Sequence, residues 1–483
     1  MHPSILGRSN ICAALAAFPL ALSCGAYAQD PTEGEEALNM QLVGYDDLQG
    51  RSAYQPIVHQ QGDRWIAYIG HHAGLHENPL TGEVEGNGTS ILDVTDPANP
   101  QYLFHIPGGE GESEAQMVRM CEGSDLPDGI DGNYYLLRAV GRNGHQVWNV
   151  TTPENPSMVS WMEAEGLVDT HKNWWECDTG IAYLVSGVEG WAPRRMTQVY
   201  DLSDPAEPRF IRNFGLPGQQ PGAPNHEEMS QYELHGPIAV GNRIYFGYGT
   251  FLNGVVQIID RDRLIRGNPA LEDPFEPTDE NLEYPVINTM YTGPRLGAHT
   301  VFPVLGMEVP EFADNSEGST RDMLLVVGES LRNECLENRQ MMYMVDITDE
   351  TRPWPVANFQ VPEESGNFCE RGGRFGTHSS NENMTSIYYG KVVFLAYFNG
   401  GVRAVDIRDP WTPQEIGYYI PAINERTTQR CITVEGAERC KRAIQTNNLD
   451  VDDRGYVYAA DRANTGLHIV ELIGPARDVA DLP

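Results

Sequence analysis

Four histidines stand in similar short stretches of the chain, and they are the residues best suited to chemistry. The stretches are VDTHKNW, QYELHGP, RLGAHTV and FGTHSSN, which contain His171, His235, His299 and His378. Imidazole nitrogens are good ligands for divalent transition metals. Four imidazoles that converge would hold such an ion, with Fe expected first and then Cu, Zn or Mn. The pattern therefore predicts an all-histidine metal centre.

Acidic residues lie close to two of these histidines. Asp169 is two residues before His171, and Glu233 is two residues before His235. Residues two apart on a strand share a face, so both acids are predicted to hold the second ring nitrogen and fix its tautomer. Turns expected at the same mouth add three more candidates for catalysis, which are Glu189, Glu329 and His72.

A recurring phrase predicts the elements that position these residues. It consists of a short β-branched strand, an acid, two residues, an Asp-Pro pair and a second proline, as in ILDVTDPANP at 91–100. Spacings of 52 to 86 residues separate its copies. That length is typical of four-stranded propeller blades with loops. The acid-like positions are Asp93, Asn149, Asp201, Asp260, Asp346, Asp406 and Glu471.

Seven copies of the phrase predict an all-β fold, a seven-bladed β-propeller. Nothing strand-like follows the last copy, whereas MQLVGY at 40–45 has no copy before it. This N-terminal strand is therefore predicted to complete the last blade, which closes the ring and removes exposed sheet edges. A single propeller domain is expected at 38–483, after a signal peptide at 1–28 and a flexible leader at 29–37.

The repeat also aligns the four histidines. When the units are aligned on their second strands, the histidines take one position in units three to six. The first strand of each propeller blade lines the central channel, so the imidazoles are predicted to meet at the channel mouth. The equivalent residues elsewhere are Gln55 or His59 in unit one, Gln116 in unit two and Asn447 or Asn448 in unit seven.

The phrase resembles the LVIVD-repeat family of bacterial exported β-propellers. The resemblance is carried by the Asp-x-x-Asp-Pro-x-x-Pro copies and covers most of the mature chain. QIIDRDRL at 257–264 and HIVELIGP at 468–475 depart from the pattern. The resemblance implies the propeller fold and supplies no catalytic set.

The N-terminus has the features of a targeting segment. Arg8, an apolar stretch from Ile11 to Leu22 and a small-x-small site ending at Ala28 predict a cleaved signal peptide. The protein is therefore expected to be periplasmic or secreted, and Cys24 leaves a lipoprotein as the alternative. The net charge of −35 disfavours nucleic acid and anionic membrane surfaces as partners. No apolar run in the mature region reaches the ~20 residues of a membrane-spanning helix.

The predicted export makes the number of cysteines informative. Six cysteines follow the predicted cleavage site, and an even number in an oxidising compartment predicts disulfides. Cys431 and Cys440 are expected to close a local loop. Cys121 with Cys177, and Cys335 with Cys369, are the pairs that the blade alignment brings near each other.

The resulting hypothesis is an exported metal-dependent enzyme that acts on a small organic substrate. Four neutral imidazoles favour a redox metal, so a non-haem iron or copper oxidoreductase is expected first. A metal-dependent hydrolase or lyase at the same site is one alternative. A non-enzymatic binding propeller in the periplasm or on the cell surface is the other, because a fold does not determine chemistry.

Overall fold

The structure is a computed structural model that describes residues 34–109, 114–142, 144–163, 167, 169–250, 253–309, 318–480 and 482. The predicted signal peptide lies outside these residues, as does most of the leader. The described α-helices are short, at His226–Met229, Arg261–Arg266 and Asp279–Glu283, and 3-10 turns lie at Leu48–Gly50, Glu363–Ser365, Phe368–Glu370 and Gly474–Val479. None of the helices in this part of the chain is long and apolar enough to cross a membrane.

Strands dominate the described chain and form antiparallel sheets, numbered here as blades. The first two strands are β1 (Glu36–Leu38) and β2 (Met40–Asp46). Blade 1 contains β3 (Ala53–Gln61), β4 (Arg64–His71), the inserted hairpin β5 (Leu75–Glu77) and β6 (Val84–Gly86), β7 (Thr89–Asp93) and β8 (Gln101–Ile106). Blade 2 contains β9 (Val118–Glu122), β10 (Tyr134–Ala139), β11 (His145–Asn149) and β12 (Ser157–Met162). Blade 3 contains β13 (Asn173–Trp175), β14 (Ile181–Ser186), β15 (Met196–Asp201) and β16 (Arg209–Phe214).

The remaining blades follow the same order from the channel outward. Blade 4 contains β17 (Leu234–Val240), β18 (Arg243–Tyr248), β19 (Val255–Asp260) and β20 (Val286–Tyr291). Blade 5 contains β21 (Thr300–Glu308), β22 (Thr320–Val327), β23 (Met342–Asp346) and β24 (Trp354–Phe359). Blade 6 contains β25 (Phe375–Ser380), β26 (Val392–Phe398), β27 (Val402–Asp406) and β28 (Gln414–Ile420). A hairpin of β29 (Gln429–Val434) and β30 (Ala437–Arg442) precedes blade 7, whose strands are β31 (Thr446–Val451), β32 (Val457–Asp461) and β33 (Gly466–Leu472).

The first strands of the blades form a closed ring. Each of β3, β9, β13, β17, β21, β25 and β31 contacts the next, and β31 contacts β3. Strand β2 pairs with β33, with Met40 opposite Leu472, so the N-terminal segment completes blade 7. Strand β1 pairs with β28 and extends blade 6 at its outer edge. The prediction of an all-β propeller with an N-terminal closing strand is confirmed.

The repeated phrase has a simple structural role. Its acid ends the third strand of a blade, and the carboxylate accepts the backbone N–H two residues on, which is an Asx turn. The following proline-containing turn then leads into the fourth strand. These bonds run from Thr95 to Asp93 at 2.9 Å, from Ser203 to Asp201 at 2.9 Å, from Thr348 to Asp346 at 2.9 Å and from Arg408 to Asp406 at 3.0 Å.

Three disulfides are present, and they are the predicted ones. Cys121–Cys177 joins blades 2 and 3, and Cys335–Cys369 joins the loops after β22 and before β25. Cys431–Cys440 lies across the β29–β30 hairpin. All three pairings agree with the placement expected from the repeat.

Asp450 is a buried acid that makes the fold sensitive to pH. It lies on β31 with 2% of its surface exposed, and its Oδ2 accepts the backbone N–H of Val58 in blade 1 at 2.6 Å. Burial raises the pKa of Asp450 to about 7, against an ordinary value of about 4. The folded state therefore holds this proton more tightly than the unfolded state. The stability that this tighter proton binding gives the folded state is complete below about pH 4 and is lost as the pH rises to about 7.

We expect the Asp450→Asn variant to gain stability relative to the wild type as the pH rises from 5 to 8. The amide oxygen still accepts the Val58 N–H, and no buried charge forms. The difference in unfolding free energy should reach a few kcal/mol, since about three pKa units correspond to roughly 4 kcal/mol. Urea unfolding of both proteins across this pH range measures it. A difference that does not change with pH would contradict the expectation.

Candidate metal centre

The four predicted histidines lie side by side at one end of the channel. His171 lies two residues before the inner strand β13, and His299 directly precedes β21. His235 and His378 lie within β17 and β25. Each is at most 3% exposed. The ring centroids are 5.0 Å apart for His171 and His235, 3.3 Å for His235 and His299, and 4.5 Å for His299 and His378. The structure thus brings together the four residues that the repeat aligned.

Irregular pairing at the start of the inner strands directs these side chains. Register shifts separate Ala53 from Pro56, Leu234 from Gly236, and Phe375 from Ser379. A bulge of this kind interrupts the alternation of a strand and re-aims a side chain. His235 and His378 fall within two of these shifts, so the bulges turn their rings toward the cluster.

Tyr54 is a fifth member of the cluster that sequence reasoning missed. Its hydroxyl lies 3.1 Å from His171 Nε2 and 3.3 Å from His235 Nε2. Burial raises the pKa of Tyr54 far above its ordinary value, so the hydroxyl keeps its proton. The alignment had assigned this place to Gln55 or His59. Tyr54 takes it because it sits inside the β3 bulge, which no sequence pattern marked.

Glu329 completes the cluster from the turn after β22. Its two carboxylate oxygens lie 3.8 Å from His299 Nε2 and 3.7 Å from His378 Nε2. These separations exceed hydrogen-bonding distance. An ion with bonds of about 2.1 Å at tetrahedral angles would hold its donors about 3.4 Å apart. The donor atoms of these three residues all lie within 4.8 Å of one another. The compact group therefore mixes two imidazoles with one carboxylate and differs from the predicted all-histidine centre.

Every histidine of the cluster has a buried ring nitrogen without a hydrogen-bond partner among the described residues. A buried polar atom left unpaired costs about 1–3 kcal/mol, so these nitrogens are available to a ligand. Burial first, and nearby positive groups second, lower the pKa of all four imidazoles well below the ordinary value. They are therefore neutral, the form that binds metals. The atoms are His171 Nδ1, His235 Nδ1, His299 Nε2 and His378 Nε2.

Asp169 and Glu233 do not hold the histidine rings, contrary to the prediction. Both bind Arg194, with separations of 2.7 Å to Asp169 Oδ2 and 2.9 Å to Glu233 Oε2. Asp169 has a φ of +53° and is not extended. Glu233 lies outside β17, next to the bulge at its start. The two-residue alternation assumed for both acids therefore fails, and they lie at the rim with the arginine.

His72 and Glu189 also differ from their predicted places. The ring of His72 packs 4.7 Å from the ring of Tyr54, and its Nδ1 lies 3.3 Å from Ser52 Oγ. His72 thus supports Tyr54 and is not part of the compact donor group. Glu189 is exposed on the turn after β14. In the described part of the chain, no contact joins it to the four histidines.

Arginines surround the carboxylate of Glu329. Arg374, which was not among the predicted residues, approaches Glu329 Oε1 to 2.9 Å. Arg462, from the turn after β32, lies 4.0 Å from the same oxygen. Arg374 therefore fixes the carboxylate in front of the two imidazoles.

Adjoining the histidines, a buried ion triad crosses the channel. Glu382 follows β25 and binds both Lys172, the neighbour of His171, and Arg119 of β9. Lys172 is fully buried, and the other two are less than a tenth exposed. Burial would raise the pKa of Glu382, but the two cations lower it, so the carboxylate stays ionised. The triad links blades 2, 3 and 6.

Comparison with known proteins yields structural similarity only. No family model matches the sequence, and no curated protein matches it. The β-propeller domain of Cps50 (Swd1) from Myceliophteria thermophila has a TM-score of 0.46 at 10% identity, covering 91% of this chain and 99% of that chain. Sqt1 from Chaetomium thermophilum has a TM-score of 0.49 at 10% identity, covering 90% and 99%. The strand pairings described above define the fold of this chain.

Proposed function

We propose that the protein is an exported metal-dependent enzyme whose ion is bound by His299, His378 and Glu329. The proposal is carried by the buried Nε2 atoms of both histidines. They have no hydrogen-bond partner among the described residues and face one carboxylate. Two imidazoles and a carboxylate are the ligand set of many non-haem iron oxygenases. Iron is therefore the first choice, followed by copper, zinc or manganese, and an oxidoreductase is the first choice of reaction.

The surrounding residues have definable tasks in such a site. The bound ion would supply Lewis acidity or redox capacity. Tyr54 keeps a neutral hydroxyl between His171 and His235, where it can donate a hydrogen bond to a neighbouring group. Arg374 holds the carboxylate in place. The burial of all four imidazoles limits the access of water.

Export is part of the proposal and is supported by the cysteines. Three disulfides join the six cysteines that follow the predicted signal peptide. Disulfides persist in oxidising compartments and are rare in the cytosol. A small organic substrate is proposed because the cluster lies at the mouth of a narrow channel.

Metal analysis of the purified protein tests the proposal. The wild type is expected to bind a divalent transition metal near one equivalent after reconstitution with Fe²⁺, Cu²⁺, Zn²⁺ or Mn²⁺. His299→Ala and His378→Ala are expected to lose it, since each removes a donor. Elemental analysis gives the stoichiometry, and circular dichroism verifies that the variants are folded.

The matched control is His226→Ala, because His226 is also a histidine but is half-buried on a surface helix, where it contacts Gly190. It should keep the wild-type metal content. Failure of the folded wild type to take up any of the four ions would refute the metal site and favour a binding propeller. If metal binds, an oxygen requirement for turnover separates an oxidoreductase from a hydrolase or lyase.

A further inference from the structure

A small cavity opens directly beside the histidine cluster. Its volume is about 140 Å³, and it reaches both His235 and Glu329. Arg194 and Arg195 form one side of it. The cavity is thus the space next to the proposed ion that a ligand would occupy.

A larger groove leads to this cavity. It has a volume of about 630 Å³ and lies between the loop after β22 and the disulfide-closed β29–β30 hairpin. Thr250 and Leu331 line both spaces. The two spaces are therefore adjacent, and a ligand with a head group and a tail suits the pair.

The lining of the groove is mainly polar. Side chains with amide, hydroxyl or guanidinium groups outnumber its apolar ones, so the groove suits a ligand with hydroxyl or other hydrogen-bonding groups along its length. The polar groups include Arg295, Arg332, Asn333, Asn338, Gln340 and Thr433.

Two arginines next to the cluster have guanidinium donors that are not used in hydrogen bonds among the described residues. Arg195 contacts Asp169 at 3.3 Å, but its buried Nε has no partner among the described residues. Arg462 approaches Glu329 only to 4.0 Å, which is beyond hydrogen-bonding distance. Arg195 belongs to blade 3 and lines the cavity, whereas Arg462 approaches Glu329 from blade 7.

From these features we infer that the substrate is a hydrophilic carboxylate. Its carboxylate binds Arg195 in the cavity beside the ion, and its hydroxyl-bearing chain lies along the groove. Arginine suits this task because its planar donors match carboxylate geometry. The inference names the substrate class of the proposed enzyme and rests on that proposal.

Calorimetric titration with three probes of similar length tests the inference. Gluconate carries both the carboxylate and the hydroxyl groups, sorbitol lacks the carboxylate, and hexanoate lacks the hydroxyl groups. Gluconate is expected to bind at least about tenfold more tightly than either of the others, because charge-assisted hydrogen bonds are the strong ones. Arg195→Gln should weaken gluconate binding about tenfold or more and leave sorbitol binding unchanged.

Arg209→Gln is the control variant, because Arg209 is exposed and pairs with Asp201 on the outer strands of blade 3. It should bind gluconate like the wild type. Equal affinity for gluconate and sorbitol, or unchanged gluconate binding in Arg195→Gln, would overturn the inference. The titrations are run with metal-free and metal-loaded protein. Arginine-dependent gluconate binding in a protein that takes up no metal would sustain the carboxylate site and refute the enzyme proposal separately.

Discussion

The Glu382→Gln variant is expected to lose about 3–5 kcal/mol of unfolding free energy, the largest effect on stability that the structure predicts. In the part of the chain that the structure describes, Glu382 is the carboxylate that binds both the buried Lys172 and Arg119. Its replacement by an amide leaves two cations in the channel without a counter-charge. Removing one member of a buried ion pair is far more costly than removing the pair, because the remaining charge stays desolvated.

The side chain of Lys172 is closely packed and has little freedom to move. A Cβ atom added to Gly236 would lie 2.2 Å from Lys172 Cδ, so the lysine stem packs tightly against the backbone of blade 4. The ammonium group therefore cannot move to water without disturbing the inner strands. This confinement is the reason to expect the full cost.

Urea unfolding at neutral pH measures the effect, with two comparison variants. The double variant Lys172→Met with Glu382→Gln should recover part of the loss, since only Arg119 remains to be satisfied by the amide. Glu350→Gln is the surface control. Its carboxylate pairs with Arg243 at 2.7 Å, both side chains are more than a quarter exposed, and such pairs contribute about 1 kcal/mol or less. A loss for Glu382→Gln no larger than that of the control would show that the channel charges are solvated.

The sequence predicted the fold because the determining signals are local. The acid of each phrase binds a backbone N–H only two residues away, as Asp93 does with Thr95. Contiguous residues therefore determine where strands end and turns form, and the repetition of these stretches indicates the architecture. The closing strand followed from the same reasoning, because MQLVGY at 40–45 lacked a phrase of its own.

The site was predicted only in part, for reasons that are equally physical. The alignment found the four histidines, since equivalent residues of repeated blades occupy equivalent places. It failed for Asp169, whose positive φ breaks strand alternation, and it missed Tyr54, which a bulge directs inward. Neither feature leaves a pattern in the sequence.

Contacts between residues far apart in the chain could not be predicted from the sequence for a different reason. Lys172 and Glu382 are 210 residues apart and meet only because the ring closes. Glu329 appeared among the catalytic candidates, yet its position between His299 and His378 depends on the junction of blades 5 and 6. Composition and spacing predict which residue types lie at the mouth of the channel. How side chains from different blades are oriented relative to each other is determined only in the folded ring.

Replacement of Glu329 by Gln is expected to weaken binding of Fe²⁺ or Zn²⁺ by at least about 100-fold. Substitutions that only disturb the partners of metal ligands already reduce affinity about 10- to 100-fold, and this one removes the negative charge from the proposed ligand set. The amide remains able to accept a hydrogen bond from Arg374, which lies 2.9 Å from Oε1. Arg374 and Arg462 are about a fifth exposed, so water solvates part of their charge, unlike that of Lys172. Without metal the variant should therefore lose much less stability than Glu382→Gln.

Competition with a chelator gives the dissociation constants, and unfolding with and without metal gives an independent check. At metal concentrations far above both constants, a 100-fold difference in affinity corresponds to about 2.7 kcal/mol less stabilisation by the ion. Glu189→Gln is the matched control, because Glu189 was predicted at the same mouth but is exposed on the turn after β14. Equal metal affinity of the Glu329 and Glu189 variants would remove Glu329 from the ligand set. A centre formed by the histidines alone would then have to account for the unpartnered ring nitrogens.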